Sequence, residues 1–158
     1  MNFKMNLKNV LAIFFAGLML TACATAKKDS MLQGDVYTGS DTVEYLATGV
    51  ADRVFFATNK STLTTAARDI LRKQAAYMRK KKDLTFTIEG HADERGTREY
   101  NLAIGERRAN AAKDYLMTYG ISGNRLSVIS YGKERPVNSG STPLAWSQNR
   151  RSVTVKAN

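Results

Sequence analysis

The first stretch with helical periodicity runs from Leu63 to Met78, where apolar residues recur every three or four positions. Thr64 stands where an N-cap is needed, and its hydroxyl can accept a hydrogen bond from a backbone N–H of the first turn. The basic run at 79–82 follows, and cations suit the negative end of a helix. This pattern predicts an amphipathic helix with one buried face.

A second helix is predicted from Thr97, a further N-cap candidate, to about Tyr119, with Gly120 closing it. Its apolar stripe contains small and aliphatic residues: Leu102, Gly105, Ala109, Ala112 and Leu116. Arg108 falls at the margin of this stripe, whereas Arg107 points away from it. We therefore expect Arg107 to be solvated and the stem of Arg108 to pack, with its guanidinium held in one direction.

Four short segments have the character of β-strands. Residues 84–89 alternate between apolar and polar, as a half-buried strand does, and 53–56, 126–130 and 152–156 are short and apolar. With the helices between them the order is β-α-β-α-β-loop-β. The fold class predicted is α+β, with a mixed four-stranded sheet and helices packed on a face.

The first residues have the features of a secretory signal. A basic start precedes about a dozen apolar residues, too few for a finished transmembrane helix, and the segment ends in Leu-Thr-Ala-Cys. We expect a signal peptide at 1–22, a Cys23 that becomes the new N-terminus, a flexible Gly/Ser/Thr/Asp-rich tether at 23–50, and one domain at 51–158. Cys23 is the only cysteine, so the domain has no intramolecular disulfide.

The chain is strongly basic, with 24 Lys and Arg against 14 Asp and Glu and a formal net charge of +10. This balance predicts an anionic partner. A secretory signal disfavours nucleic acid, and no interleaving of aromatic and basic residues supports it either. A lone histidine without a cysteine partner gives no basis for a metal site or another cofactor.

The loop at 90–96 reaches the start of the second helix directly from a predicted strand. Asn101 and Arg108 lie on the face of that helix that this loop approaches. Asp93 can therefore stand a short distance from the Arg108 guanidinium. A carboxylate and a guanidinium in one pocket suit a zwitterion.

Four motifs carry a resemblance to a known family, in this order: GHADERG at 90–96, EYN at 99–101, GERRA at 105–109 and SYGKERP at 130–136. The chain resembles the peptidoglycan-associated lipoproteins of the Tol system, within the wider OmpA-like wall-binding domains. LTAC likewise resembles the bacterial lipobox, in which the cysteine is acylated. The resemblance covers the lipobox, the tether and the domain.

The resemblance implies a ligand and the residues that bind it. The ligand is the peptide stem of peptidoglycan, whose diaminopimelate ends in an amino and a carboxyl group. By position, Asp93 binds the ammonium and Arg108 the carboxylate, while Asn101 and the loop backbone at Gly96 complete the pocket. Thr58 and Asn59 stand where many relatives carry an Asp-rich stretch, and we expect them to form hydrogen bonds with the ligand.

The resemblance also implies a location and partners. A lipidated Cys23 holds the chain in the outer membrane, facing the periplasm, and the absence of an aspartate at position 24 favours that membrane. The partners implied are peptidoglycan, the outer membrane through the lipid anchor and a periplasmic TolB-type propeller protein, with a role in constriction at cell division. No enzymatic activity is implied.

Two other functions remain open from the residues themselves. An enzyme acting on peptidoglycan would use His91, Asp93 and Glu94 as acid and base, although no nucleophile-base pair or metal-ligand spacing accompanies them. A general polyanion binder would act through Lys and Arg alone. His91 is interpreted as a hydrogen-bonded side chain at a strand end. Arg95 either braces the loop or contacts the ligand, and for 149–151 bracing is favoured over lining the pocket.

Overall fold

A computed structural model of the chain describes residues 32–157. The signal peptide expected at 1–22, Cys23 and residues 24–31 lie outside the described residues, as does residue 158. In chain order the strands and helices are β1 (Leu32–Gln33), β2 (Val36–Tyr37), β3 (Tyr45–Ala47), β4 (Val50–Ala51), β5 (Arg53–Phe55), α1 (Thr65–Lys80), β6 (Thr85–His91), α2 (Arg98–Thr118), a 3-10 helix (Gly123–Arg125), β7 (Leu126–Gly132), α3 (Pro143–Asn149) and β8 (Arg151–Ala157).

The central sheet has four strands in the order β5-β8-β6-β7. Strands β6 and β7 are parallel, because α2 carries the chain back across the sheet between them, whereas β8 is antiparallel to both β5 and β6. The α+β fold class and the mixed four-stranded sheet predicted from the sequence are confirmed.

Helices α1 and α2 pack on one face of this sheet. The buried cluster joins alternate residues of β6, and of β5 and the position after it, to the apolar faces of both helices: Val54, Phe56, Ala67, Leu71, Ala75, Met78, Phe86, Ile88, Ala109, Ala112 and Leu116. Thr64 caps α1 by accepting a hydrogen bond from the Ala67 backbone N–H at 3.2 Å, and Thr97 caps α2 through the Tyr100 N–H at 3.2 Å.

A pair of glycines sets the distance between α2 and strand β6. A Cβ added at Gly90 would lie 1.9 Å from the carbonyl oxygen of Gly105, and one at Gly105 would lie 2.4 Å from Ser130 Oγ. Only glycine permits so close an approach of two backbones. Helix α2 therefore lies directly on the strand, and Arg108, nearly one turn beyond Gly105, comes level with the end of β6.

Two parts of the chain differ from the sequence-based expectation. Residues 32–50, expected within a flexible tether, instead contribute to the hairpins β1-β2 and β3-β4, and Leu46 enters the core. The compact unit accordingly begins at Leu32 rather than at residue 51. The loop predicted before the last strand contains the short helix α3, with Thr142 as N-cap and Pro143 at its start.

No helix among residues 32–157 is both long enough and apolar enough to cross a membrane.

Candidate functional site

The loop between β6 and α2 is fixed at both ends. At its start, the Ala92 N–H donates to the carbonyl of Gly132 at 2.8 Å, which continues the pairing with β7 by one residue. At its end, Gly96 has φ +89°, in the left-handed region that favours glycine, and Thr97 caps the helix. Asp93 is therefore held between a strand end and a helix start.

Arg108 is the most deeply placed cation of the site, with a relative exposure of 1 %. Its guanidinium donates to three backbone carbonyls, from Nε to Lys60 at 3.0 Å, from Nη1 to His91 at 2.9 Å and from Nη2 to Ala57 at 3.2 Å. No carboxylate among residues 32–157 forms an ion pair with it. The orientation of its guanidinium is therefore fixed, but no carboxylate in the described residues pairs with its positive charge.

The protonation state of Arg108 follows from this environment. Burial lowers its pKa to about 10, with repulsion from Arg150 adding to the effect and attraction to Asp93 opposing it. The guanidinium remains a cation at neutral pH. Because burial makes its charge costly, a ligand anion beside it is favourable.

Asp93 is the buried carboxylate of the site, at 7 % exposure. It accepts hydrogen bonds from Arg95 Nε at 3.0 Å and Nη2 at 2.7 Å, and from Arg150 Nη1 at 3.2 Å. Burial opposes its ionised form, but the hydrogen bonds from Arg95 and then Arg150 outweigh this and lower its pKa. Asp93 is thus an anion at neutral pH.

These two charges meet in one cleft with a volume of about 290 Å³. The cleft is lined by Thr58, Asn59, Ala92, Asp93, Arg95, Gly96, Tyr100, Asn101, Ile104 and Arg108. All the ligand-binding residues proposed from the sequence line this one cleft. The structure brings them together from three separate segments of the chain.

The neutral lining residues have defined positions. Asn101 is buried, and its Nδ2 donates to the carbonyl of Arg95 at 2.9 Å, which joins the helix to the loop. Asn59 has φ +54°, a left-handed conformation that asparagine tolerates better than most residues. Tyr100 forms an exposed part of the wall, while Ile104 supplies apolar surface.

Arg150 and Asp35 adjoin the cleft without lining it. Arg150 is 3 % exposed and links the carbonyl of Phe56, at 3.1 Å from Nε, to the Asp93 carboxylate. Of residues 149–151, Arg150 thus has the bracing contact with a loop acid that the sequence interpretation favoured. Asp35 accepts a hydrogen bond from the Thr58 N–H at 2.6 Å. Sequence reasoning missed Asp35, because this residue lies in the segment interpreted as a tether.

Arg95 both braces the loop and lines the cleft, so the two alternatives left open by the sequence are not exclusive. Its guanidinium binds Asp93 and lies over the Trp146 ring, 4.3 Å from the ring centroid. Glu94, next in the chain to Asp93, is exposed and instead accepts a hydrogen bond from Trp146 Nε1 at 2.8 Å.

His91 does not take part in the cleft. It is 1 % exposed, and burial, together with repulsion from Arg151, lowers its pKa to about 3, so it is neutral. His91 ends β6, as expected, but neither ring nitrogen forms a hydrogen bond of ordinary length within 32–157. Its weak polar contacts are with Glu89, whose Oε2 lies 3.6 Å from Nε2, and with the backbone of Arg135. His91 and Glu94 therefore do not converge with Asp93 as an acid-base set. No group of His, Cys, Asp and Glu side chains suited to a metal ion occurs in this part of the chain.

Comparison with known proteins gives consistent matches. The model of the OmpA family matches residues 55–150. The peptidoglycan-associated lipoprotein of Brucella melitensis is 43% identical over 146 residues, which cover 89% of this chain and 87% of that protein. The protein of the same name from Rhizobium meliloti is 54% identical over 106 residues, 67% of this chain and 60% of the relative.

Solved structures agree with these sequence matches. The crystal structure of the peptidoglycan-associated lipoprotein from Burkholderia pseudomallei superposes with a TM-score of 0.65 at 34% identity, covering 67% of this chain and 90% of that one. The C-terminal domain of Helicobacter pylori MotB gives a TM-score of 0.63 at 19% identity, covering 68% and 84%. The second likeness concerns the fold alone.

Proposed function

Because the chain belongs to the OmpA family, with peptidoglycan-associated lipoproteins among its relatives, we propose that it binds peptidoglycan non-covalently through the diaminopimelate of the stem peptide. It is a binding protein and not an enzyme. In this proposal the cleft between the β6–α2 loop and α2 receives the end of the stem peptide.

The observation that carries this proposal is the state of Arg108. A buried guanidinium held by three carbonyls, with no carboxylate paired to it within 32–157, is ready for an anion from outside. Asp93, an ionised carboxylate, lines the same cleft. One wall thus presents a cation and another an anion, which matches a ligand group that carries both charges.

Each charged residue has one task. The Arg108 guanidinium binds the carboxylate of diaminopimelate. Asp93 binds the ammonium group while it continues to accept hydrogen bonds from Arg95. Asn101, Thr58, Asn59 and the backbone at Gly96 contribute neutral hydrogen bonds. Ile104 and Tyr100 supply apolar surface for the methylene groups that join this zwitterionic end of diaminopimelate to the rest of the stem peptide.

The expected affinity is moderate. Hydrogen bonds to charged groups contribute about 1.5 to 3 kcal/mol each. Two charged contacts and a few neutral ones amount to about 8 kcal/mol, which corresponds to a micromolar dissociation constant. For a protein anchored beside a dense polymer this suffices, because the high local concentration of sites favours rebinding.

The location in the cell belongs to the same proposal. A lipidated Cys23 would anchor the chain in the outer membrane, facing the periplasm, so that binding ties membrane to wall. Several acyl chains give lasting attachment where a single chain binds only marginally. A TolB-type propeller protein and a role in constriction at division complete this proposal, and both rest on the family resemblance.

Incubation of the chain with purified sacculi tests the function directly. The proposal expects co-sedimentation of the protein without release of soluble wall fragments. Released fragments would indicate an enzyme, and failure to sediment would contradict wall binding.

A further inference from the structure

The turn of the hairpin β1-β2 reaches the edge of the proposed ligand cleft. Gly34, with φ +68°, and Asp35 form this turn. The Asp35 carboxylate accepts a hydrogen bond from the backbone N–H of Thr58 at 2.6 Å, and Thr58 is one of the residues that line the cleft. A residue 23 positions earlier in the chain therefore contacts the rim of the site directly.

The rim segment 57–60 is held from two sides. From the helix, Arg108 donates to the carbonyls of Ala57 and Lys60. From the hairpin, Asp35 accepts the Thr58 N–H. Between these contacts Asn59 has the left-handed φ of +54°, a conformation that is uncommon for a non-glycine residue although asparagine tolerates it better than most. Asp35 and Arg108 thus bond to the backbone on both sides of Asn59.

Arg150 joins the hairpin to the acid of the site. Its Nη1 donates to Asp93 and its Nη2 to the backbone carbonyl of Asp35, while the Asp35 carboxylate lies 4.0 Å from Nη2. Because Arg150 is buried and also bonded to Phe56, it cannot follow a displaced hairpin freely. The positions of Asp35 and Asp93 are therefore coupled through one guanidinium.

The hairpin itself is firmly attached to the domain. Tyr37 is 2 % exposed, and its ring packs edge-on against Phe55 with the centroids 4.7 Å apart. This contact places the turn at the end of β5, from which the segment 57–60 departs.

We infer that Asp35 is a positioning residue of the ligand site, which holds the Thr58–Asn59 rim in its binding conformation and so makes the N-terminal hairpin part of the site. The inference rests on the proposed function, since it concerns the same cleft. The hairpin then has a task in ligand binding, where the sequence indicated only a tether.

The test uses the full chain purified in detergent and a soluble probe, the tripeptide L-Ala–γ-D-Glu–meso-diaminopimelate. Asp35→Ala removes the acceptor of the Thr58 N–H, and we expect about tenfold weaker binding, the equivalent of one charge-assisted hydrogen bond. Asp35→Asn keeps an oxygen that can accept this N–H, so we expect it to retain part of the lost affinity.

Asp41 offers a matched control. It lies in the same N-terminal segment and accepts a hydrogen bond from Gln148 Nε2 at 3.2 Å, but neither residue lines the cleft. We expect Asp41→Ala to bind the probe like the unmodified chain. We also expect the Thr58 amide to exchange with solvent faster in Asp35→Ala than in Asp41→Ala, an effect that a general loss of stability would not confine to this amide.

Two results would overturn the inference, and they are distinguishable. If Asp35→Ala and Asp35→Asn bind the tripeptide like the unmodified chain while Asp93→Asn binds weakly, the proposed function stands and the role of Asp35 is wrong. If Asp93→Asn also binds normally, the cleft is not the ligand site, and both proposals fail together.

Discussion

The Nη1 nitrogen of Arg108 lies 2.9 Å from the carbonyl oxygen of His91 and donates a hydrogen bond to it. This bond ties helix α2 to the last residue of β6, two positions before Asp93. The Arg108 guanidinium is therefore held in a defined position relative to the backbone segment that carries Asp93. Such preorganisation reduces the ordering cost of binding.

Replacement of Arg108 by Lys tests the guanidinium itself. A lysine keeps the charge but lacks the planar fork that bonds three carbonyls at once. We expect at least about tenfold weaker tripeptide binding, and a loss of about 2 kcal/mol in the free energy of unfolding because buried carbonyls lose their donors. Calorimetric titration and urea unfolding measure the two effects.

Arg107→Lys is the matched control for this change, because Arg107 is the adjacent arginine and its side chain is exposed. Arg107→Lys should change neither the affinity for the tripeptide nor the free energy of unfolding. Equal effects at the two positions would show that the guanidinium of Arg108 has no special role.

Replacement of Asp93 by Asn tests the acid. The buried Arg150 would lose its carboxylate partner, and removing one partner of a buried pair costs about 3 kcal/mol of unfolding free energy. We also expect clearly weaker sedimentation with sacculi. Glu94→Gln, at the exposed neighbouring carboxylate, should sediment normally.

The pH dependence of this pair has a defined sign. The pKa of Asp93 in the folded chain lies below the ordinary value of 3.8, so its contribution to stability is fully present above that value and is lost as pH falls through the folded pKa. The stability difference between the chain and Asp93→Asn should thus be constant above about pH 5.

The binding result for this variant has its own contrary outcome. Undiminished wall binding by a folded Asp93→Asn would support a general polyanion binder.

His91 provides a second pH test, made simple because it is the only histidine. Its pKa is about 3 in the folded chain against an ordinary value of 6.5, so between these values unfolding takes up a proton. Stability therefore falls as pH is lowered through 6.5, with a slope that approaches about 1.4 kcal/mol per pH unit below that value. Urea unfolding at pH 6.5 and 5.0 should show that the free energy of unfolding falls by about 1.6 kcal/mol more for the chain than for His91→Gln.

A direct readout accompanies this measurement. The imidazole NMR signals of His91 should not titrate between pH 8 and 5. A titration near pH 6.5 would contradict the buried neutral state.

Leu46 tests whether the N-terminal segment is part of the fold. It is 6 % exposed and lies in the core, so Leu46→Ala should lower the free energy of unfolding by about 2–3 kcal/mol. Tyr45→Ala, at an exposed neighbour, should have little effect. If both substitutions are neutral in urea unfolding, the segment behaves as the tether that the sequence indicated.

The sequence predicted most of the sheet and both long helices because their signals are local. The caps Thr64 and Thr97, the alternation at 84–89 and the apolar stripe of α2 each depend on residues close in the chain. The opposite exposures of Arg107 and Arg108 followed from helical geometry alone. Helical spacing thus indicated which arginine packs before any tertiary contact was known.

The elements that the sequence missed depend on distant contacts. Strands β1 to β4 have two or three residues each, too few for a periodic pattern, and are held by packing of Tyr37 and Leu46 on the domain. Helix α3 begins at Pro143 in a stretch of turn-forming residues, which favoured a loop. The local sequence around Asp35 and around Thr58 does not predict the contact between these two residues.

The structure of the chain with the diaminopimelate tripeptide bound tests the central claim most directly. The account predicts the terminal carboxylate of diaminopimelate about 3 Å from the guanidinium nitrogens of Arg108, with its ammonium at a similar distance from the Asp93 oxygens. A tripeptide whose zwitterionic end lies outside this cleft, in contact with neither residue, would contradict it.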